Sequence, residues 1–338
     1  VPVADGGEGS VDAFITALGG TKVTVKVKNP YFEDMDSYYG LIHEGKTAVI
    51  EMASCAGLPL VEDRKNPKLT TTYGVGQLIL AAAESGVEKI IVGLGGSSTN
   101  DGGCGAAAAV GIKFYDKDGK EFVPTGGTTA DIAKIDLSGK AKVLDQVEIV
   151  TMCDIDNPMY GPSGASYIFG PQKGADEAMV EELDAGIKNL SRVIAEATGE
   201  DISQVPGTGA AGAMGAGMIA FFGSRLQMGI QTVLDTVNFD EMIKDADYII
   251  TGEGKLDSQS LRGKVVIGIA ERAKKQNKNV IAVVGGADDS EIDKAYEMGV
   301  TAVFPINRLP QDFSVSRHHS KENLGYTVDN ILRLLATK

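Results

Sequence analysis

The sequence predicts an α/β protein with a doubly wound parallel sheet and an inserted part rich in antiparallel strands. Its last hundred residues alternate apolar strands with amphipathic helices, which is the rhythm of a parallel sheet covered by helices. Earlier, residues 22–27, 38–43 and 47–51 alternate apolar and polar side chains, which is typical of an antiparallel meander. The chain therefore contains two kinds of sheet.

The other elements follow from periodicity and from the residues at their ends. The first helix has apolar side chains at helical spacing and is stopped by Gly19 and Gly20. Short runs of β-branched residues predict buried strands. The predicted helices span residues 10–18, 73–85, 103–110, 177–198, 209–225, 265–276, 291–298 and 321–336. The predicted buried strands span residues 89–92, 147–152, 248–251, 280–284 and 302–305.

The domain organisation is predicted to be discontinuous. The first ten residues predict the end of a strand and the start of a helix, so we assign this segment to the same sheet as the last hundred residues. We expect one domain from residues 1–20 plus 239–338 and an inserted mixed α/β domain from residues 21–238. Ligands usually bind in a cleft between two such domains.

Composition disfavours several classes of partner. The 338 residues carry a formal charge of −14, which would repel nucleic-acid backbones and anionic membranes. An acidic protein that binds an anion needs local cations and amides or a divalent metal, which indicates Mg²⁺. Three cysteines without close spacing predict neither a disulfide framework nor a zinc site. We expect a cytoplasmic protein and, because the chain starts at Val1, a missing upstream segment.

A glycine-rich loop, GLGGSSTNDGG at residues 93–103, follows the strand at residues 89–92. Glycines let backbone amides approach an anion, hydroxyls donate hydrogen bonds, and the carboxylate of Asp101 can bind a cation or accept a proton. The alternative is tight strand-to-helix packing, but a plain connection has no use for three consecutive hydroxyls. The loop is therefore predicted to hold a phosphorylated ligand. The residues assigned to this binding are Gly95, Gly96, Ser97, Ser98 and Thr99.

Two strings match nucleotide-binding motifs without the context that those motifs require. Residues 40–47 fit the P-loop pattern, yet a strand follows them, so we predict a β-hairpin turn at Glu44 and Gly45. Residues 207–212 fit the dinucleotide fingerprint, but no buried strand precedes them. Here we expect the start of a glycine-rich helix that packs closely against a neighbour.

Carboxylates that follow predicted strands form a second set of candidates. Asp154 follows a buried strand, where limited solvent favours a proton acceptor or a metal ligand. Glu253 and Asp257 follow another strand, at the edge where open α/β sheets bind ligands. Asp5 occupies an equivalent turn near the chain start. Each acid has an alternative role as the N-cap of the next helix.

Two lysines complete the candidate set. Lys173, within FGPQKG, is either an anion-binding residue or a solvated loop lysine, and the sequence favours neither. Lys264 lies just before a predicted helix, where it can offset charge on nucleotide phosphates. His318 and His319 lie in a polar stretch and are expected at the surface.

Several long segments resemble those of bacterial glycerate kinases of the glycerate 2-kinase type. In chain order they are VPVADGGEGS, TAVIEMASCAGL, TTTYGVGQLI, GLGGSSTNDGG, CDIDNP, FGPQKGA and ITGEGKLDSQS followed by GKV. The resemblance covers essentially the whole chain and implies ATP-dependent phosphorylation of D-glycerate at the 2-hydroxyl. It also implies a discontinuous flavodoxin-like, Rossmann-like domain with a restriction-endonuclease-like insert. One departure is the absence of the Asp-Ser-(Phe/Tyr)-Lys segment with which family members usually begin.

With this resemblance, we expect Mg²⁺-assisted in-line transfer from ATP in the cleft between the domains. The loop would hold phosphate or the glycerate carboxylate, with Asn100 and Asp101 at the reacting end and Asp154 as the base. Alternatives are a kinase or phosphatase for another hydroxy acid and a non-catalytic sugar-acid or nucleotide sensor. A homodimer is one option for the assembly.

The remaining charged candidates are assigned to the nucleotide. Lys173 and Lys264 are expected to contact anionic groups of the ligands. The expected oxygen ligands of Mg²⁺, direct or through water, are Asp5, Glu253 and Asp257.

Overall fold

The chain folds into two compact units, which are described separately. The structure, a computed structural model, describes residues 2–3, 6–258, 260–309 and 311–337. Unit 1 is Val1–Gly229 and unit 2 is Ile230–Lys338. Unit 1 combines a mixed sheet and a short antiparallel sheet with helices, the described sheet of unit 2 is parallel and accompanied by helices, and the predicted α/β class is confirmed.

The strands and helices of unit 1 follow the predicted order, with additional short elements. The strands are β1 Thr21–Lys28, β2 Asp34–Ile42, β3 Thr47–Glu51, β4 Lys89–Gly93, β5 Lys113–Tyr115, β6 Glu121–Phe122, β7 Lys134–Asp136, β8 Glu148–Met152 and β9 Arg225–Gln227. The helices are α1 Ser10–Leu18, α2 Ala53–Ala56, α3 Tyr73–Glu84, α4 Cys104–Ala109, α5 Ala165–Phe169, α6 Glu177–Thr198 and α7 Ala210–Phe222.

The main sheet of unit 1 has the strand order β1-β2-β3-β4-β8-β9. β1, β2 and β3 pair antiparallel, so the predicted meander is confirmed. β3, β4, β8 and β9 pair parallel, which brings their carboxyl ends to one edge of the sheet. A second, short sheet with the order β6-β5-β7 was not predicted.

The P-loop-like string forms the predicted hairpin. It covers the end of β2, the turn and the first residue of β3, and β2 and β3 pair antiparallel. His43, Glu44 and Gly45 all have positive φ, at 50°, 57° and 84°. This conformation fits a tight hairpin turn and offers no helix N-terminus for phosphates.

The first helix lies in unit 1 and packs against the main sheet. α1 contacts β2 and β3, and a Cβ on Gly40 of β2 would lie 2.9 Å from Val11 Cγ1. The missing side chain at Gly40 therefore lets the helix approach the strand closely. The domain prediction had grouped residues 1–20 with residues 239–338, which is a different division from the compact units seen here.

Unit 2 contains the parallel sheet that was predicted for the last hundred residues. Its strands are β10 Tyr248–Glu253, β11 Asn279–Val284 and β12 Val300–Pro305, in the order β10-β11-β12. The helices from residue 229 onward are α8 Gly229–Thr236, α9 Phe239–Met242, α10 Val265–Lys274, α11 Asp289–Glu297, α12 Phe313–Ser316 and α13 Ser320–Leu335. One apolar core cluster of this unit consists of Ile281, Val283, Ile306 and Ile331.

The histidines near the chain end, His318 and His319, are exposed, as predicted. In the described part of the chain, no helix has the length and apolar character needed to cross a membrane.

Candidate functional site

The carboxyl edge of the parallel strands in unit 1 carries most of the predicted site residues. The turn near the chain start lies against this edge, because the Gly95 amide donates to the Gly6 carbonyl at 3.1 Å. A Cβ on Gly6 would lie 3.0 Å from Met152 Cβ, at the end of β8. The glycine loop therefore begins beside the ends of both β4 and β8. Asp5 lies outside the described residues.

The glycine loop has one exposed end and a buried remainder. Gly96 is exposed with φ +73°, Ser97 is 7% exposed, and the residues from Ser98 to Asp101 are buried. Both the amide and the hydroxyl of Ser98 donate to the Ala56 carbonyl at 2.9 Å. The predicted hydroxyls thus divide into one near the surface and two in the interior.

Asp101 anchors the loop from the inside. Its Oδ2 accepts hydrogen bonds from the Thr72 amide and hydroxyl, each at 2.8 Å, and from the Gly105 amide at 3.2 Å. Its Oδ1 accepts from the Gly103 amide at 3.1 Å. Burial raises the pKa of the Asp101 carboxyl, and the hydrogen bonds from Thr72, Gly103 and Gly105 oppose that rise. The side chain has no exposed surface, which fits an anchoring role.

Lys173 is buried beneath the same loop. It is 1% exposed, and its Nζ donates to the Thr99 carbonyl oxygen at 2.6 Å. Burial lowers the pKa of the Lys173 ammonium to about 7, while the charge of Asp101 acts in the opposite direction. The alternative of a solvated loop lysine is therefore wrong.

Several polar groups of the loop have no partner among the described residues. Two are buried side-chain oxygens, Thr99 Oγ1 and Asn100 Oδ1, although Asn100 Nδ2 donates to Ser166 Oγ at 3.1 Å. The backbone amides of Gly96, Ser97, Thr99 and Asn100 also find no acceptor within the described ranges. Buried polar groups without a partner are rare in folded proteins, and each of them needs a water or a ligand, whereas the amide of the exposed Gly96 is open to solvent or ligand.

A left-handed stretch in α7 packs directly on the loop. Ala211, Gly212 and Ala213 have φ between 55° and 69°, which interrupts the helix. The Gly212 carbonyl accepts from the Gly102 amide at 3.0 Å, and a Cβ on Gly212 would lie 2.1 Å from the Thr99 carbonyl oxygen. The expected close packing of this glycine-rich helix start is confirmed. Its left-handed backbone was not predicted, and strain of this kind is often found beside functional sites.

Asp154 lies at the end of β8, half-buried, next to the buried Cys153. Its Oδ1 accepts a hydrogen bond from the Gly229 amide at 2.7 Å. This contact orients the carboxylate and satisfies an amide at the start of α8. Asp154 therefore combines partial solvent access with a fixed orientation.

Glu51, at the end of β3, is a strand-end acid that the sequence analysis missed. It is 1% exposed, and its Oε1 accepts from the Val11 amide at 2.5 Å near the start of α1. Burial raises the pKa of the Glu51 carboxyl, while hydrogen bonds from the Val11 and Gly9 amides act to lower it. Its position in the sequence, directly after the apolar residues of β3, is the pattern that could have identified Glu51 as a candidate.

In unit 2, three predicted residues lie near one another at and after the end of β10, where Glu253 is the last residue of the strand. The Ser260 amide donates to Asp257 Oδ1 at 3.3 Å, at the start of a short 3-10 turn. Burial and the charge of Asp257 raise the pKa of Glu253, whereas Ser260 and Lys264 act to lower it. Glu253 Oε1 is buried and has no hydrogen-bond partner in the described part of the chain. Lys264 directly precedes α10, at its N-cap position.

Within the described residues, no group of three or more His, Cys, Asp or Glu side chains is arranged to hold a metal. Mg²⁺ is usually bound through one or two carboxylates together with substrate phosphates and water. Glu253 Oε1, which has no hydrogen-bond partner among the described residues, and the neighbouring Asp257 could supply oxygen ligands of this kind.

Comparison with known proteins identifies the family. A sequence model of the glycerate kinase family matches residues 1–336. A glycerate kinase from Bacillus cereus (strain ATCC 10987 / NRS 248) is 44% identical over 332 residues, which cover 98% of this chain and 87% of that protein. A glycerate 2-kinase from Escherichia coli (strain K12) is 46% identical over 307 residues, which cover 90% of this chain and 80% of that protein.

A solved structure is similar in fold and in sequence. It is a crystal structure described as glycerate kinase 2 from Salmonella typhimurium LT2, with a TM-score of 0.87 and 39% identity. The match covers 99% of this chain and 88% of the other. On the family match, the sequence identity and the shared fold, this chain belongs to the glycerate kinase family.

Proposed function

We propose that the protein phosphorylates D-glycerate at its 2-hydroxyl with ATP and Mg²⁺, giving 2-phosphoglycerate and ADP. The names of the relatives support glycerate as substrate. The observation that carries the site assignment is the exposed end of the glycine loop, where the successive amides of Gly96 and Ser97 have no acceptor among the described residues. Successive amides in a turn with one left-handed residue form a concave anion-binding site.

The loop would bind an anionic group of the substrate. Gly95 and Gly96 leave room for close approach, and the hydroxyl of Ser97 lies beside them near the surface. A carboxylate or a phosphate would be held here by charge-assisted hydrogen bonds. Ser98, Thr99 and Asn100 support this end from the buried side, and Asp101 anchors them.

Asp154 is the proposed general base. In the transfer, the 2-hydroxyl oxygen bonds to the γ-phosphorus, the bond from that phosphorus to the β–γ bridging oxygen breaks, and ADP leaves. The hydroxyl proton passes to the Asp154 carboxylate. Its contact with the Gly229 amide fixes the carboxylate, and positioning of this kind is what phosphoryl transfer requires.

Unit 2 supplies the groups proposed to bind the nucleotide phosphates. Glu253 and Asp257 would hold Mg²⁺, directly or through water. The role of Asp5 as a magnesium ligand stays a prediction from the sequence. When bound, Mg²⁺ neutralises charge on the phosphates. Lys264 and the N-terminus of α10 add positive potential for the same phosphates.

A product assay tests this proposal. The protein is incubated with ATP, Mg²⁺ and D-glycerate, and ³¹P NMR distinguishes 2-phosphoglycerate from 3-phosphoglycerate. A parallel panel of lactate, tartronate and glycerol tests the alternative of a kinase for another hydroxy acid. Nucleotide binding without metal-dependent turnover on any of these would indicate a sensor. The cytoplasmic location and the homodimer remain predictions from the sequence.

A further inference from the structure

Two consecutive carbonyl groups of the glycine loop are tied to buried side chains from other segments. The Ser98 carbonyl accepts a hydrogen bond from Thr70 Oγ1 at 3.0 Å. The Thr99 carbonyl accepts one from Lys173 Nζ at 2.6 Å. Thr70 is fully buried and Lys173 is 1% exposed, so both groups act from beneath the loop.

These contacts also set the direction of two backbone amides. In a planar trans peptide the C=O and the N–H point in opposite directions. Thr70 therefore turns the Thr99 N–H away from itself, and Lys173 does the same to the Asn100 N–H. Neither N–H has an acceptor among the described residues. Two side chains thus orient two amide donors that have no acceptor in the described part of the chain.

Burying the Lys173 side chain beneath the loop costs free energy that a purely structural role would not require. A buried ammonium loses its hydration, and an apolar side chain of similar volume often stabilises a fold as well or better. The facing charged group is Asp101, which itself anchors the loop through Thr72. These polar groups all contact one short segment. The exposed end of that segment carries the Gly96 and Ser97 amides, for which the described residues offer no acceptor.

We infer that Thr70 and Lys173 are positioning residues of the anion-binding loop. They act through the peptide groups of Ser98 and Thr99 and do not themselves touch the substrate. The inference rests on the proposed function, because it takes the loop to bind an anionic group of the substrate.

A matched pair of variants at Thr70 tests the hydroxyl itself. Thr70→Val keeps the shape and removes the hydroxyl, whereas Thr70→Ser keeps the hydroxyl and removes a methyl group. We expect Thr70→Val to lower kcat/KM for D-glycerate about 10- to 100-fold, the range produced by misplaced binding groups. Thr70→Ser should stay within about threefold of the wild type, since the donor is retained. If Thr70 serves packing alone, Thr70→Ser should lower kcat/KM more than Thr70→Val does. That result would overturn the inference.

Thr129→Val is the control for these variants. Thr129 is also fully buried, and its hydroxyl donates to the Gly126 carbonyl at 3.1 Å, outside the loop. We expect this variant to keep the wild-type kcat/KM. An equal loss in Thr129→Val and Thr70→Val would show that any buried hydroxyl matters equally and would also overturn the inference.

Hydrogen–deuterium exchange provides a readout that needs no catalysis. We expect residues 94–103 to exchange faster in Thr70→Val and Lys173→Met than in the wild type, with no change in Thr129→Val. Unchanged exchange in both loop variants would overturn the inference, and if Lys173→Met does not fold, Thr70→Val decides. A wild-type protein that does not phosphorylate glycerate would refute the proposed function, and the exchange data would still report on the positioning role.

Discussion

Thr72 and Asp101 share two hydrogen bonds, because the amide and the hydroxyl of Thr72 both donate to Asp101 Oδ2 at 2.8 Å. The same hydroxyl accepts from the Ala106 amide at 3.0 Å. Thr72 is the N-cap residue of α3, and Ala106 belongs to α4. This one pair therefore joins the glycine loop to two helices through buried polar contacts.

Asp101→Asn tests this anchoring role. The amide oxygen can replace Oδ2, but the amide NH₂ then faces the Gly103 N–H, which loses its buried acceptor. We expect the free energy of unfolding to fall by about 1–3 kcal/mol, measured by urea denaturation. Asp36→Asn, at an exposed position on β2, is the control and should stay within about 0.5 kcal/mol of the wild type. A stable Asp101→Asn variant that has lost only turnover would instead indicate a direct catalytic role.

The left-handed backbone of α7 makes a second prediction about stability. Ala211 has φ 55° and ψ 42°, whereas Ala216 lies in the regular part of the same helix, and both are buried. Substitution by glycine removes a buried methyl group at each position, but at residue 211 it also relieves the left-handed strain. We expect Ala211→Gly to be less destabilising than Ala216→Gly by about 1–2 kcal/mol, as measured by chemical denaturation. Equal losses would show that the strain at Ala211 carries no energetic cost.

The pKa of Lys173 predicts a pH dependence of stability. In the folded protein burial lowers this pKa to about 7, well below its ordinary value of 10.5. Between these values the unfolded chain binds more protons than the folded one. The free energy of unfolding should therefore rise with pH, by up to about 1.4 kcal/mol per pH unit from this group, and this contribution is lost as the pH falls towards 7.

The measurement is the difference between wild type and Lys173→Met in urea denaturation from pH 7 to pH 9.5. Subtracting the free energy of unfolding of the variant cancels the contributions of the other titrating groups. The difference should therefore rise with pH. The exposed Lys188→Met variant is the control for loss of a surface lysine. A flat difference would mean that Lys173 keeps its charge throughout this range.

The sequence predicted the longer strands, the long helices and the loop, because each has a strong local signal. The short strands β5, β6, β7 and β9 were not predicted. Apolar periodicity identified α6 with its observed ends. The strand pattern that follows residues 40–47 distinguished the hairpin from a true phosphate loop, which a helix would follow. Local signals could not tell which polar groups of the loop face inward. Asp101 is bonded to Thr72, 29 residues earlier in the chain, and Lys173 is bonded to Thr99, 74 residues earlier. Local sequence signals do not reveal contacts between residues so far apart.

The same limit applies to the division of the chain. The first helix was assigned to the sheet of the last hundred residues from its strand-to-helix pattern alone. In the structure it packs on β2 and β3, where Gly40 makes room for Val11 and Glu51 accepts from the Val11 amide. An amphipathic helix shows that it covers a sheet, but its own sequence does not show which sheet it covers.

Asp154→Asn tests the proposed base. The side-chain oxygen of Asn can still accept from the Gly229 amide, so we expect the fold and the KM for glycerate to be preserved. Loss of the proton acceptor should lower kcat by about 10²- to 10⁴-fold, measured in a coupled assay of ADP release. The exposed Asp156→Asn, two residues away, is the matched control and should turn over normally. Normal turnover in Asp154→Asn would exclude this residue as the base.

Glu253→Gln tests the proposed metal site in unit 2. The partly desolvated carboxylate has one oxygen without a hydrogen-bond partner in the described part of the chain, so a neutral side chain of the same shape should leave the protein at least as stable. Loss of the negative charge should raise the Mg²⁺ concentration for half-maximal activity roughly tenfold, equivalent to about 1.4 kcal/mol of binding. The control is the exposed Glu271→Gln on α10, which should titrate like the wild type. An unchanged Mg²⁺ requirement together with lower stability would show that Glu253 supports the turn after β10 and holds no metal. Loss of a structural carboxylate lowers the free energy of unfolding, whereas loss of a metal ligand changes the Mg²⁺ dependence of activity.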